Sequence, residues 1–120
     1  MENVIQFVKK EKFLLIITLV ALMLRIKYLS PWLEDWDSVQ FALALHHFSI
    51  VEHQPHAPGY PIYILLGRIM YFFTQNDTQA LTLLSSILGS AAIISFFLLH
   101  RTMLGKLISI IASILLVITP

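Results

Sequence analysis

Apolar runs separated by short polar stretches set the pattern of this chain, and the lengths of the runs predict its elements. Two runs are long enough to cross a membrane as helices, at residues 13–33 and 79–99, and a third covers residues 107–120. Residues 13–24 alone would form a helix about 18 Å long, too short for a hydrocarbon core about 30 Å thick, so the first crossing is extended to residue 33. The pattern predicts about three transmembrane helices.

Two shorter apolar stretches lie between the first two predicted crossings. They cover about residues 38–48 and 60–73, too few to span the membrane, and such lengths are typical of helices that lie at its surface. The linker between them contains Pro55 and Pro58, and proline disfavours helix both at its own position and at the residue before it. We therefore expect two juxtamembrane helices joined by a stiff, non-helical linker.

The composition places the chain among integral membrane proteins. Hydrophobic residues make up 58% of the sequence, charged residues only 12%, and the mean hydropathy is +0.79. These values lie outside the range of ordinary soluble domains, so the predicted fold class is all-α and membrane-embedded. The absence of cysteine excludes disulfides and thiolate metal sites. The few basic residues are accounted for by topology, so no nucleic-acid partner is expected.

The distribution of charge predicts how the chain crosses the membrane. Under the positive-inside rule, the basic tail 1–12 and the basic turn 100–106 face the cytoplasm, and the acidic loop 34–78 is extracytoplasmic. We expect residues 13–33 to be a retained anchor and not a cleaved signal peptide, because no small-residue cleavage site follows the apolar core. The expected location is the cell (plasma) membrane.

Two aspartates at the start of the first juxtamembrane helix are the candidate catalytic residues. Asp37 followed by Gln40 also resembles a capping box, in which the carboxylate accepts backbone N–H groups and the glutamine reaches back. Asp35 and Asp37 together form a D-x-D pattern, which chelates metal in nucleotide-sugar enzymes, although a pattern of three residues is a weak signal. The residues alone leave capping, metal binding and catalysis open.

Several residues around the loop are candidates for binding a phosphate or a sugar. Arg25 and Lys27 lie in the outer third of the first predicted crossing, where they either snorkel to the surface or hold a lipid phosphate. His53 and His56 are three residues apart, but the linker prolines break the helical register, so hydrogen-bonded histidines are expected and not a zinc site. Tyr60 either belongs to an interfacial aromatic belt or stacks on a sugar.

Two short motifs after the first predicted crossing resemble the start of the GT-C membrane glycosyltransferases. They are residues 37–42 (DSVQFA) and 56–63 (HAPGYPIY), and they are most similar to the protein O-mannosyltransferase-like group, glycosyltransferase family 39. In that family the first extracytoplasmic loop carries two juxtamembrane helices, so the resemblance implies the N-terminal part of a GT-C fold. Ser38 and Ala57 depart from the family's second acid and first proline, and His56 stands where many relatives have lysine.

The resemblance also implies a reaction and roles for the candidate residues. An inverting enzyme of this kind moves a sugar, with mannose as the candidate, from a polyprenyl-phosphate donor to a hydroxyl of an acceptor protein, lipid or glycan. Asp37 would be the catalytic base, with Asp35 beside it. The lipid phosphate and the sugar would be bound by Arg25, Lys27, His53, His56 and Tyr60. No metal or other cofactor is expected, because a lipid-phosphate donor lacks the pyrophosphate that metals usually bridge.

A non-catalytic membrane protein is the alternative function. At 120 residues the chain is short for a polytopic enzyme, so a small packing subunit or a truncated remnant is also consistent with the sequence. A transporter fragment has less support, because neither a pair of discontinuous helices nor an inverted repeat is visible.

Overall fold

Helices make up nearly all of the regular structure in a computed structural model of the chain, which describes residues 12–118. They are α1 (Lys12–Lys27), α2 (Trp36–His46), α3 (Pro61–Thr74), α4 (Asp77–Leu104) and α5 (Lys106–Ile118). Within residues 12–118 there is no strand, only an isolated antiparallel bridge between Ser49 and Gln54. The predicted all-α class is therefore confirmed for this range. Residues 1–11 of the predicted tail and 119–120 of the third predicted crossing lie outside the described residues.

Among the described helices, α4 is the one that is long and apolar enough to cross a membrane. Its 28 residues extend over about 42 Å, which exceeds the thickness of a hydrocarbon core. α3 and α5 are apolar but shorter, with 14 and 13 residues. One helix of spanning length is thus present, and the three crossings remain a prediction.

The basic turn predicted at residues 100–106 is mostly helical. α4 continues through it to Leu104, and Gly105 alone separates α4 from α5. The imidazole Nδ1 of His100 donates to the carbonyl oxygen of Phe96 at 2.9 Å, so this polar side chain is satisfied within the helix. Gly105 has a φ of +82°, a left-handed conformation that glycine adopts without steric cost, which explains why the break falls there.

The first helix is shorter than the first predicted crossing. α1 ends at Lys27, whereas the run of apolar residues predicted a helix to residue 33. Pro31 lacks the amide hydrogen needed to continue the helix, and its ring disfavours helical backbone at Ser30. Arg25 and Lys27 lie in the last turn, where cations interact favourably with the negative end of the helix dipole.

The described residues form two compact units. The first unit contains residues 12–27 and 87–118, and the second unit is Tyr28–Ser86. α4 supplies residues to both.

Apolar side chains form the core of the first unit. Leu14 of α1 is buried against Ile93 and Phe97 of α4, both almost completely inaccessible to solvent. On α5, Ser109 and Ser113 are also fully buried, and each hydroxyl donates to the carbonyl oxygen four residues earlier, at 2.6 and 2.8 Å. Small residues that satisfy their own hydroxyls in this way suit close helix packing in lipid.

In the second unit, α2 packs against α3 and the start of α4. Leu45 of α2 shares a buried apolar cluster with Ala80 and Leu81 of α4. Gly67 of α3 faces the same leucine so closely that a methyl group built on it would lie 2.7 Å from Leu45 Cδ2. The absence of a side chain at residue 67 therefore permits the close approach of α2 and α3.

Arg68 ties the end of α2 to α3. Its Nε donates to the carbonyl oxygen of Leu45 at 2.9 Å, and its Nη2 donates to that of Ala44 at 3.1 Å. The last carbonyl groups of a helix have no partners within the helix, and they carry partial negative charge. A guanidinium satisfies both needs at once, so Arg68 acts as a side-chain cap for α2.

The linker between α2 and α3 is folded back on itself. Ser49 and Gln54 exchange both backbone hydrogen bonds, at 2.7 and 2.8 Å. Gly59 has a φ of +92°, and a Cβ there would lie 2.8 Å from Ile50 Cδ1. The peptide bonds preceding Pro55 and Pro58 are cis. The linker thereby returns the chain to the beginning of α2.

Candidate functional site

The start of α2 differs from the capping box that the sequence suggested. The cap residue is Asp35, whose side chain makes no capping hydrogen bond, and the helix begins at Trp36. Asp37 therefore lies inside the first turn, and its side chain is 67% exposed. Gln40 does not reach back to it, so the capping-box interpretation is wrong. The carboxylate of Asp37 is available to solvent and sits where the helix dipole favours a negative charge.

Gln40 instead binds the linker. It is 94% buried, at 6% relative exposure, and its side-chain oxygen accepts two hydrogen bonds from His56. One comes from the backbone N–H at 3.2 Å and the other from the ring Nδ1 at 3.1 Å. Because a backbone N–H can only donate, the amide atom that faces it must be the oxygen. The same oxygen can only accept from the ring, so Nδ1 of His56 carries a proton.

Asp37 faces the same ring nitrogen. Its Oδ1 lies 3.7 Å from Nδ1 of His56, which is too long for a hydrogen bond but within the range of an ion pair. The hydrogen bond of Nδ1 is therefore made to Gln40, and Asp37 contributes its charge. The His56 side chain is 30% exposed, less than half the exposure of Asp37, so the carboxylate forms the open side of the pair.

Aromatic rings surround the imidazole. Phe41 and Tyr60 approach His56 nearly edge-on, with ring centroids 5.7 and 5.5 Å away. Phe41 also contacts Tyr63 at 5.2 Å, and the hydroxyl of Tyr63 lies 2.8 Å from Ser85 Oγ on α4. The rings of Phe41, His56, Tyr60 and Tyr63 are called the aromatic cluster below. Edge-on packing of this kind fixes ring orientation.

The structure brings together Asp37, His56 and Tyr60 from the residues predicted for the site. Both Asp35 and His53 are exposed, and within residues 12–118 no side-chain hydrogen bond, ion pair or ring contact joins either of them to this group. His53 lies in a linker turn with a φ of +54°.

Arg25 and Lys27 belong to the first unit, in the last turn of α1. The Arg25 guanidinium lies against Gly89 of α4, with Nη1 3.1 Å from the point where a Cβ would stand. In the described range 12–118, no three histidine, aspartate or glutamate side chains converge closely enough to hold a metal ion.

Sequence reasoning missed two residues that organise this region. The sequence pattern places Gln40 in a helix cap and gives no role to Arg68. Gln40 could have been noticed as a long polar side chain on an otherwise apolar face of α2, a position that usually needs a specific partner. No local signal pairs it with His56, which is 16 residues away along the chain.

One model of a known protein family matches a segment that includes this region. The family model described as "Protein O-mannosyl-transferase TMEM260 N-terminal domain" matches residues 37–116, which is 80 of the 120 residues. The chain belongs to this family. No curated protein and no solved structure matches the chain.

Membership in the TMEM260 N-terminal domain family confirms the resemblance to protein O-mannosyltransferases. The matched segment begins at Asp37 and includes the linker, α3 and α4. The chain therefore has an O-mannosyltransferase-like N-terminal portion, and its helix α4 is long and apolar enough to cross a membrane.

Proposed function

We propose that this domain supplies the catalytic base of a protein O-mannosyltransferase that uses a polyprenyl-phosphate mannose donor. The observation that carries the proposal is the exposed carboxylate of Asp37 at an ion-pair distance from an imidazole held in place by Gln40. The family description supports mannose as the sugar and a protein as the acceptor. Lipids and cell-surface glycans are the other acceptor classes to be tested.

Asp37 is proposed to accept the proton of the acceptor hydroxyl. A base must reach the proton that it removes, and the side chain of Asp37 is open to solvent and free of capping bonds. The acceptor oxygen bonds to the anomeric carbon on the face opposite the phosphate, and the proton passes to Asp37. The bond from the anomeric carbon to the phosphate oxygen breaks, and its electron pair leaves with the phosphate. Transfer therefore inverts the anomeric centre.

Cationic groups are proposed to stabilise the departing phosphate. When protonated, His56 still donates from Nδ1 to Gln40, and it gains a second N–H on Nε2 that suits a phosphate oxygen. His53, Arg25 and Lys27 are further candidates for binding the lipid phosphate.

Tyr60 is proposed to contact the sugar. Its ring is 42% exposed and is held by contacts with Phe41 and His56 in the aromatic cluster. A fixed and partly open ring can pack against the apolar face of a hexose at little cost in side-chain entropy.

The outer face of α3 supports a position at the membrane surface. Its exposed side chains recur at helical spacing and are strongly apolar, with 74% of Ile62, 60% of Leu65 and 73% of Phe72 accessible. Such a face is costly in water but favourable at the boundary of headgroups and acyl chains. We propose that the loop 34–78 is extracytoplasmic and that the turn 100–106 lies on the cytoplasmic side.

The natural absence of cysteine makes this topology simple to test. Thr74→Cys should react with a membrane-impermeant thiol reagent added to intact cells, and Met103→Cys should react only after permeabilisation. Labelling of Met103→Cys but not Thr74→Cys in intact cells would reverse the proposed orientation.

The reaction is tested by a transfer assay on membranes that express the protein from its native gene. Polyprenyl-phosphate mannose should transfer mannose to an acceptor peptide containing serine and threonine, and a nucleotide mannose should not do so directly. The anomeric configuration of the product should be opposite to that of the donor. Transfer from the nucleotide sugar with equal efficiency would contradict the proposed donor. No transfer from either donor would favour the non-catalytic alternative.

A further inference from the structure

We propose that Gln40 is the positioning residue of this site, holding His56 with its proton on Nδ1 so that Nε2 is the ring nitrogen left for substrate. Assigning a substrate contact to Nε2 rests on the function proposed above. The tautomer itself is a property of the chain alone.

The geometry is consistent with only one position for the ring proton of neutral His56. The backbone N–H of His56 fixes the Gln40 oxygen toward the linker, and the ring Nδ1 approaches that same oxygen at 3.1 Å. An unprotonated Nδ1 would place two acceptor lone pairs against each other on a side chain that is 6% exposed. The hydrogen bond made by one imidazole nitrogen sets which nitrogen carries the proton, so the neutral ring keeps Nε2 as an acceptor.

Asp37 and Gln40 act differently on the same ring nitrogen. Gln40 makes the hydrogen bond and orients the ring, whereas Asp37, at 3.7 Å, places a negative charge beside the same nitrogen. The titratable groups that face the ring are Asp37 on α2 and Tyr60 at the start of α3. Because the two residues lie one turn apart on α2, a single helix supplies both the hydrogen-bond acceptor and the negative charge that face the imidazole.

Substitutions at residue 40 can remove or keep the hydrogen-bond acceptor while Asp37 is left in place. Gln40→Met keeps the length and volume of the side chain but removes the acceptor. The ring of His56 then has no hydrogen bond that favours the proton on Nδ1. Gln40→Glu keeps an acceptor at the same position, so Nδ1–H keeps its hydrogen-bond partner.

The direct test is the tautomer of His56, read by nitrogen NMR. The 120-residue chain is labelled with nitrogen-15 histidine and reconstituted in phospholipid nanodiscs, and His56 is assigned by the signal lost in His56→Ala. In the unsubstituted chain above the titration of the ring, Nδ1 should be the protonated nitrogen. Gln40→Met should move the proton largely to Nε2, and Gln40→Glu should restore Nδ1–H. A proton on Nε2 in the unsubstituted chain, or no change in Gln40→Met, would overturn the proposal.

The rate of transfer gives a second readout. Gln40→Met removes the acceptor of both hydrogen bonds from His56, and the loss of the one that orients the ring should lower kcat/KM about tenfold. Gln40→Glu should retain most of the rate, because its carboxylate still accepts a hydrogen bond from Nδ1 of His56. A rate for Gln40→Glu as low as that of Gln40→Met would contradict the positioning role. Failure of transfer in the unsubstituted protein would count against the proposed function, whereas the NMR result decides the role of Gln40.

Discussion

Each of the two units is stabilised internally by a different kind of contact. In the second unit, Tyr28–Ser86, polar side chains connect elements that are far apart in the chain, as in the pair His46 and Asp77 at 2.9 Å. In the first unit, apolar side chains form the core, and buried serines such as Ser113 donate to the backbone of their own helix. The difference separates a region specified by directional bonds from one specified by close packing.

This contrast indicates where chemistry can reside. Hydrogen-bonded networks of side chains impose one arrangement because an unpaired buried polar group is costly, so they suit a site whose atoms must be held in place. Helices packed through small and apolar residues suit a lipid environment, where close contact replaces the hydrophobic driving force. Asp37, Gln40 and His56 all lie within the first kind of region.

Two glycines with left-handed backbone provide the largest expected contrast. Gly59→Ala should lower the free energy of unfolding by about 3 kcal/mol, since it adds both backbone strain and a clash with Ile50. Gly105→Ala should cost only about 1 kcal/mol, because a Cβ at Gly105 meets no atom within 4 Å. Denaturant titration of the detergent-solubilised chain, followed by circular dichroism, measures both. Equal losses would show that the packing around Gly59 contributes little.

Removing the side-chain cap of α2 should have the next largest effect. Arg68→Met leaves the carbonyl oxygens of Ala44 and Leu45 without their donor and should cost about 2 kcal/mol of unfolding free energy. The matched control is Lys106→Met, an exposed cation at the start of α5, where a positive charge is not favoured by the helix dipole. Its effect should stay within about 0.5 kcal/mol in the same titration. An unchanged free energy of unfolding in Arg68→Met would show that this cap does not stabilise the unit.

A pair of hydroxyl groups gives the smallest contrast. Tyr63→Phe removes a hydrogen bond between α3 and α4 and should cost about 1 kcal/mol. Ser113→Ala removes a bond to a carbonyl of its own helix and should cost less than about 0.5 kcal/mol. The same titration compares them, and a larger loss in Ser113→Ala would mean that the first unit also depends on its polar groups.

The helices could be predicted from sequence more readily than the site. Apolar runs and proline positions lead directly to α3 and α4, because helix length and backbone restriction are local properties. The end of α1 was missed although Pro31 signals it, because the helix was extended to residue 33 from the length of the apolar run alone. The helical start at Trp36 and the bond between Gln40 and His56 depend on contacts between distant residues, which a local pattern does not contain.

The central claim, that Asp37 is the base of the transfer reaction, is tested most directly by comparing two aspartates that stand two residues apart. Asp37→Asn and Asp35→Asn make the same chemical change, but only Asp37 faces His56. In membranes carrying the protein, we predict that Asp37→Asn lowers the rate of mannose transfer by about a hundredfold or more and Asp35→Asn by less than about tenfold. A rate for Asp37→Asn that equals that of the unsubstituted protein would contradict the account.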